Sequence, residues 1–266
     1  MIALIDGDSL IYKIGFTFEE IIVWNEDEVD TEPIVSTHLD YHNAYNAIDS
    51  LIESIMFKTC SSSVQLWLTK GNNFRYTVDS TYKHNRKENR KPQMYQELFN
   101  YLVDNYNANI ANGYEADDVV VYLKSTYPDE YILCAIDKDV LYQTTGYHYN
   151  YNKEEFITVD DYMATRFPYL QTLTGDQVDG YPGCKGIGAV KANKILDKAE
   201  ELAIKHNIPL IESYWIEIVK TFEEKGLTEE DAITQMRLAN MKQFNGKIID
   251  LWTPLKGSLQ SPIDGA

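Results

Sequence analysis

Cysteine is scarce in this chain. The three residues, Cys60, Cys134 and Cys184, are odd in number and far apart, with no C-x-x-C spacing. That excludes a disulfide framework and offers no thiolate zinc site. An apolar run of roughly 18 residues, enough to cross a bilayer, is also missing. The opening MIALIDGDSL has neither the basic leader nor the cleavage site of a signal peptide, so a cytoplasmic protein without a membrane partner is expected. Positive charge is short as well: 24 Lys and Arg stand against 41 Asp and Glu, a net charge of -17. Affinity for nucleic acid comes largely from lysine and arginine on phosphates, so the total argues at first against such a partner.

The distribution of charge reverses that reading. Residues 70 to 91 carry Lys70, Arg75, Lys83, Arg86, Lys87, Arg90 and Lys91 against only Asp79 and Glu88, a local balance of +5 that leaves -22 for the rest. A focused basic patch on an acidic body can hold a polyanion locally while the remainder discourages nonspecific binding. The plainer alternative is a solvated basic loop. With 266 residues, 44% of them hydrophobic, the chain can bury a real core as one large or two small domains.

Apolar runs at 2–5 (IALI), 64–69 (VQLWLT) and 131–136 (YILCAI) read as buried strands, the second ending in a Gly-Asn-Asn turn at 71–73. Helical patterns lie between them, at roughly 41–58, 92–106 and 115–126. Strands alternating with helices predict an α/β fold: a mainly parallel central sheet with flanking helices, whose site gathers at the carboxyl ends of the strands. From about residue 158 the segments read as helices, one of them starting at Thr228 with three acids behind it. The expected division is therefore an α/β core over 1–157, with the basic segment near 70–105, and a helical region over 158–266. NEDEVDTEP at 25–33 and the tail SLQSPIDGA read as loop or fraying segments.

Four acidic groups fall where chain geometry makes them converge. Asp6 with Asp8, and Asp137 with Asp139, lie at i and i+2 past a strand; Glu115, Asp117 and Asp118 open a helix; Asp176 and Asp179 stand one helical turn apart. Any one of these reads equally well as a helix cap or a solvated turn. Together, carboxylates packed at strand ends repel one another by several kcal/mol per close pair unless cations neutralise them. Oxygen-only ligands suit Mg²⁺, with Mn²⁺ able to substitute, and two such ions suit phosphodiester hydrolysis.

The stretch GDQVDGYPGCKGIGAVKA at 175–192 sets two of these acids before a glycine-rich loop. Gly183, Gly186 and Gly188 permit close backbone approach, and a helix starting near Ile187 offers its N-terminus to a phosphate, with Lys185 and Lys191 adding charge. Such a helix-loop-helix reads backbone and shape rather than bases.

The ordered set IDGDSL, YKHNRK, EADD, IDKD and GDQVDGYPGCKGIGAVKA resembles the flap endonuclease family of 5' nucleases, over residues 2 to about 197. The end of the chain, LTEEDAITQMRLANMKQFNGKIIDLW, is similar to that of the exonucleases of T7-like phages. The resemblance implies a structure-specific 5'-3' exonuclease or flap endonuclease in phage replication or recombination. Its DNA would carry a 5' end, a flap or a nick, with an RNA–DNA hybrid as a possible further substrate. It further implies that Asp6, Glu115, Asp117, Asp118, Asp137, Asp139, Asp176 and Asp179 bind two metal ions. Tyr12 would stack on a base near the scissile phosphate, followed by Lys13 as a basic contact. Lys83 and Arg86 would hold that phosphate and stabilise its charge, with Tyr82 and Lys87 of the same motif also on the DNA. The loop Gly183–Gly188 would grip duplex as a helix-two-turn-helix and bind K⁺ through carbonyls.

One position departs from the family pattern. Where the family has an aspartate after the second strand, this chain reads Lys70-Gly71-Asn72-Asn73; Asp8 is the nearest spare carboxylate. Three other readings compete with the nuclease. A PIN-class ribonuclease has no use for the glycine loop, a non-catalytic DNA-binding protein no use for eight acids, and a dehalogenase-like phosphatase lacks its later lysine and acid in order.

Overall fold

The computed structural model describes residues 1–23, 35–85 and 90–255. Its elements are β1 (Ile2–Asp6), α1 (Gly7–Thr17), β2 (Glu19–Val23), β3 (Val35–Leu39), α2 (Tyr41–Thr59), β4 (Ser63–Asn73), α3 (Arg75–Val78), α4 (Tyr95–Tyr106), β5 (Asn109–Gly113), α5 (Ala116–Thr126), β6 (Tyr131–Cys134), α6 (Lys138–Leu141), β7 (Gly146–Asn150), β8 (Glu155–Val159), α7 (Asp161–Thr174), α8 (Ala189–His206), α9 (Leu210–Glu223) and α10 (Glu229–Ala239). The chain falls into two units, 1–72 with 89–159 and 73–88 with 160–266. Arg86 and Lys87, the stretch 25–33 and the tail from 256 lie outside the described residues. No described helix is long and apolar enough to cross a membrane.

The first unit is built on a six-stranded sheet in the order β5-β4-β1-β6-β7-β8. β1 runs parallel to both β4 and β6, β6 runs parallel to β7, and β8 pairs antiparallel with β7. Ala3, Ile5, Leu66, Ile132 and Cys134 come off these central strands into a core shared with α1, α2 and α4, all nearly free of solvent. Burial on both faces is what IALI and YILC announce: continuous apolar runs rather than alternation. A two-stranded antiparallel ribbon, β2 and β3, follows α1.

β4 corrects one expectation: Gly71, Asn72 and Asn73 continue the strand instead of turning away, with Gly71 at φ +79°. β4 lies between β5 and β1 and pairs with β1 as far as Trp67; strand neighbours far away in sequence are what local turn chemistry does not report.

The second unit packs α7, α8, α9 and α10 around Leu173, Leu196, Tyr214, Ile218, Phe222 and Met236. Thr228 caps α10 through a reciprocal box with Asp231, as its sequence predicts. Residues 73–85 join this unit through Arg75, which is 1% exposed and donates Nε to Leu238 O at 3.0 Å and Nη2 to Asn240 O at 3.4 Å. Arg75 therefore leaves the expected basic patch: its charge is spent on carbonyls that a local charge count cannot see.

Candidate active site and nucleic-acid interface

In the first unit the acids gather at the carboxyl end of the sheet. Asp6 ends β1 and caps α1, its Oδ1 accepting Asp8 N at 3.1 Å. Asp8, in the first turn of α1, reaches β4, where its Oδ2 accepts Thr69 N at 3.0 Å. Thr69 Oγ1 in turn accepts Ala116 N at 2.9 Å, which ties β4 to the start of α5. There Glu115 is the N-cap, and its own amide donates to Asp118 Oδ2 at 3.0 Å. Asp137 caps α6 and accepts Asp139 N at 2.8 Å. Asp6, Glu115, Asp118 and Asp139 are each under 10% exposed.

The electrostatics show how close these groups are. Burial, then repulsion from Asp8, pushes the Asp6 carboxyl up to about 7. Burial also raises Asp8, with Glu115 pushing the same way and the amide of Thr69 and Lys91 opposing. The Tyr151 hydroxyl, bonded to Ser9, is raised by burial and by the fields of Asp6 and Asp117. Asp6, Asp8, Glu115 and Asp117 thus form one field, which an added cation would relieve. Among the described residues, no three acid, histidine or cysteine side chains stand as a ready coordination shell. The carboxylates are turned onto backbone amides instead. The donor set is oxygen only, buried and self-repelling, which fits a hard divalent ion once side chains rotate off their caps.

Tyr12 and Lys13 project from α1: Tyr12 is 38% exposed with its ring edge-on to Tyr95 at 5.7 Å, and Lys13 Nζ holds Asn152 Oδ1 at 2.7 Å. Sequence reasoning overlooked Thr69, Tyr95 and Tyr151. Thr69 closes the strand quoted as VQLWLT, so its position at a strand end was the signal; nothing local marks the two tyrosines.

In the second unit, Asp176 and Asp179 sit in a tight turn instead of a helix. Asp176 Oδ1 accepts Val178 N at 2.6 Å and Asp179 N at 3.1 Å, and Asp176 pairs with Tyr181 as an isolated bridge. Gly180 at φ +77° breaks any helical path. This turn is stapled to the YKHN segment: Tyr82 Oη donates to Asp179 Oδ2 at 2.9 Å, Lys83 N donates to Asp179 O at 2.8 Å, and Asn85 Nδ2 donates to Val178 O at 3.3 Å.

The glycines of the loop divide by role. A Cβ on Gly183 would lie 2.2 Å from Gly175 N, and one on Gly175 2.4 Å from Pro182 C, so the two backbones meet directly. Around Gly186, at φ +75°, and Gly188 a Cβ meets nothing within 4 Å. α8 begins at Ala189, two residues later than expected, with Gly188 as its N-cap. Lys191 Nζ donates to Gly186 O at 3.1 Å. Behind the loop, a groove of about 320 Å³ between α8 and α9 is lined by Lys191, Lys194, Lys198, Lys220 and Lys225 together with Glu217 and Glu224, Lys198 being paired with Glu217 at 2.7 Å.

No family model matches the chain. Its fold is similar to that of the T5 D15 protein co-crystallised with metal ions, which matches 91% of this chain and 89% of its own at a TM-score of 0.60 and 18% identity. The chain is 26% identical to the exonuclease of Escherichia phage T7 across 95% of this chain and 93% of that protein. It is also 26% identical to DNA polymerase I of Caldicellulosiruptor bescii across 80% of this chain, but spans only 26% of the polymerase.

Proposed function

We propose that the protein is a structure-specific 5' nuclease that hydrolyses DNA phosphodiesters near 5' ends with two divalent cations, Mg²⁺ or Mn²⁺, in phage replication or recombination. The observation that carries this reading is the field of buried carboxylates at the carboxyl end of a parallel sheet, in a fold shared with a metal-bound T5 protein. A second T5 structure of that fold, with a TM-score of 0.59, is a pseudo-enzyme-product complex with DNA and metal ions.

Asp6, Glu115, Asp117, Asp118, Asp137 and Asp139 would hold the ions in the first unit, and Asp176 and Asp179 would serve the same chemistry from the second. Asp8 would supply the carboxylate that the family carries after the second strand, since its Oδ2 already lies on Thr69 N in β4. The ions would lower the pKa of a bound water and neutralise the leaving oxygen. Lys83, Arg86, Tyr82 and Lys87 would hold the scissile phosphate, and Tyr12 and Lys13 the nucleotide beside it. Gly183 to Gly188, Lys185, Lys191 and the lysine groove would hold duplex backbone by charge and by the N-terminus of α8. A K⁺ at this loop would compete with the Lys191 ammonium for Gly186 O.

The test is cleavage of 5'-labelled flap, nicked and blunt duplexes, and of an RNA–DNA hybrid, with Mg²⁺ or EDTA. Short products from the 5' end in Mg²⁺ alone are expected. Binding without cleavage under every divalent ion would favour the non-catalytic reading.

A further inference from the structure

A second stretch of exposed aromatic surface continues from Tyr12 along α1. Phe16, one turn on, is 43% exposed, and its ring lies 6.1 Å from that of Tyr12, tilted by 47°, so the two exposed rings are neighbours on one helix face. Residues 90–93 strap across the same helix. Pro92 presses on Gly15 so closely that a Cβ there would stand 2.6 Å from the proline ring. Glu19 anchors the strap by pairing with Arg90 and by accepting Gln93 N at 3.0 Å, while Gln93 Nε2 donates to Thr37 Oγ1 at 3.0 Å. The anchored strap sets two cations over the rings: Arg90 at 5.3 Å from the Phe16 centroid and Lys91 at 4.1 Å from that of Tyr95. At its inner end the row touches the acids, Tyr95 Oη lying 3.4 Å from Asp8 Oδ1.

Neighbouring exposed rings flanked by cations make the surface on which unpaired bases stack while lysine and arginine meet the phosphates. We infer that Phe16, with Arg90 and Lys91, forms a second base-stacking position that carries single-stranded nucleic acid outward from Tyr12 and the acid cluster. The inference rests on the nuclease reading for its direction, since the strand is taken to leave the acids. It does not rest on that reading for its chemistry.

The test is therefore a binding measurement without catalysis: fluorescence anisotropy of a short labelled oligothymidylate with the full chain in EDTA. Base stacking on one ring predicts that Phe16→Ala weakens affinity about tenfold. Phe16→Leu, which keeps the bulk but removes the π face, should fall alongside it, and Phe16→Tyr should bind as the parent does. Thermal melting identifies any variant that fails to fold, in which case Phe16→Leu decides alone. Parental affinity in Phe16→Leu, or no oligothymidylate binding by the parent, would overturn the inference. If the parent cleaves nothing in Mg²⁺ while the Phe16 variants still lose single-strand affinity, the nuclease reading fails and the stacking position stands.

Discussion

Lys83 is joined to Asp179 twice: its amide donates to the Asp179 carbonyl at 2.8 Å, and its ammonium stands 3.9 Å from Oδ1. Its backbone adopts φ +53°, a left-handed conformation that a lysine enters only when its surroundings hold it there. The basic motif and the last acidic motif are thus one structure, with Tyr82 bonded to the other oxygen of the same carboxylate. If Lys83 stabilises charge developing on a phosphate, Lys83→Ala should lower the single-turnover rate by about 10²-fold or more while binding weakens far less. Rapid-quench rates beside equilibrium affinities separate the two. A variant that binds poorly but cuts at the parental rate would make Lys83 an anchor only.

Asp137 is exposed and caps a short helix through Asp139, so Asp137→Asn should preserve fold and cap. Loss of one anion from a metal-binding set should abolish cleavage while DNA affinity holds or rises, because repulsion toward phosphate falls. Gel-shift and product assays on the same preparation read both, and parental turnover in Mg²⁺ would remove Asp137 from the site.

The raised carboxyl of Asp6 makes the metal-free protein sensitive to alkali. A carboxyl whose folded pKa stands near 7, above the ordinary 3.8, contributes stability below the lower value and loses it as pH rises through the higher. In EDTA the Asp6 contribution should therefore lower the melting temperature between about pH 4 and pH 7. Asp6→Asn should remove much of that fall, gaining on the order of 1–3 kcal/mol over the parent at pH 8. Mg²⁺ should stabilise the parent more than the variant, as scanning calorimetry would show.

His148 contributes the opposite trend over nearly the same pH range, so each contribution is read as the difference between parent and variant. It is fully buried in β7, with Nε2 on Thr144 O at 2.8 Å and no hydrogen-bond partner for Nδ1 among the described residues. Burial is the main cause that holds it down at about 4, so its contribution is complete above 6.5 and lost as pH falls toward 4. His148→Gln should flatten melting curves across that window, even if it lowers stability at neutral pH. Equal slopes for parent and variant would count against the assignment.

The glycine loop separates stability from binding. Gly183→Ala should cost several kcal/mol of stability, because its Cβ would press on Gly175 N. Gly186→Ala meets open space and should cost only about 1 kcal/mol for its positive φ, yet weaken duplex affinity through the moved backbone. Paired melting and duplex-binding titrations check both.

The acids were legible because strand ends and helix starts are local features: Asp6, Glu115 and Asp137 occupy the caps that their sequence context prescribes. The turn of Asp176 and Asp179 was not, since its conformation depends on Asn85 and Tyr82 from a distant segment. Arg75 misled for the same reason: its carbonyl partners lie in the chain's last third. β5, β7 and β8 escaped notice because strands such as NIANG and GYHYN are polar and short, and form where an existing edge accepts them.

The contact of Gly175 with Gly183 has a further consequence. Where two main chains touch with no side chain between them, ordinary substitution has nothing to lengthen, shorten or swivel. The mouth of the loop is accordingly a fixed gauge. If the loop grips duplex as proposed, that duplex would need a matching backbone curvature or would have to bend to reach it. Preference among DNA structures would then be written in the stiffness of the nucleic acid, not in any adjustable residue of the protein.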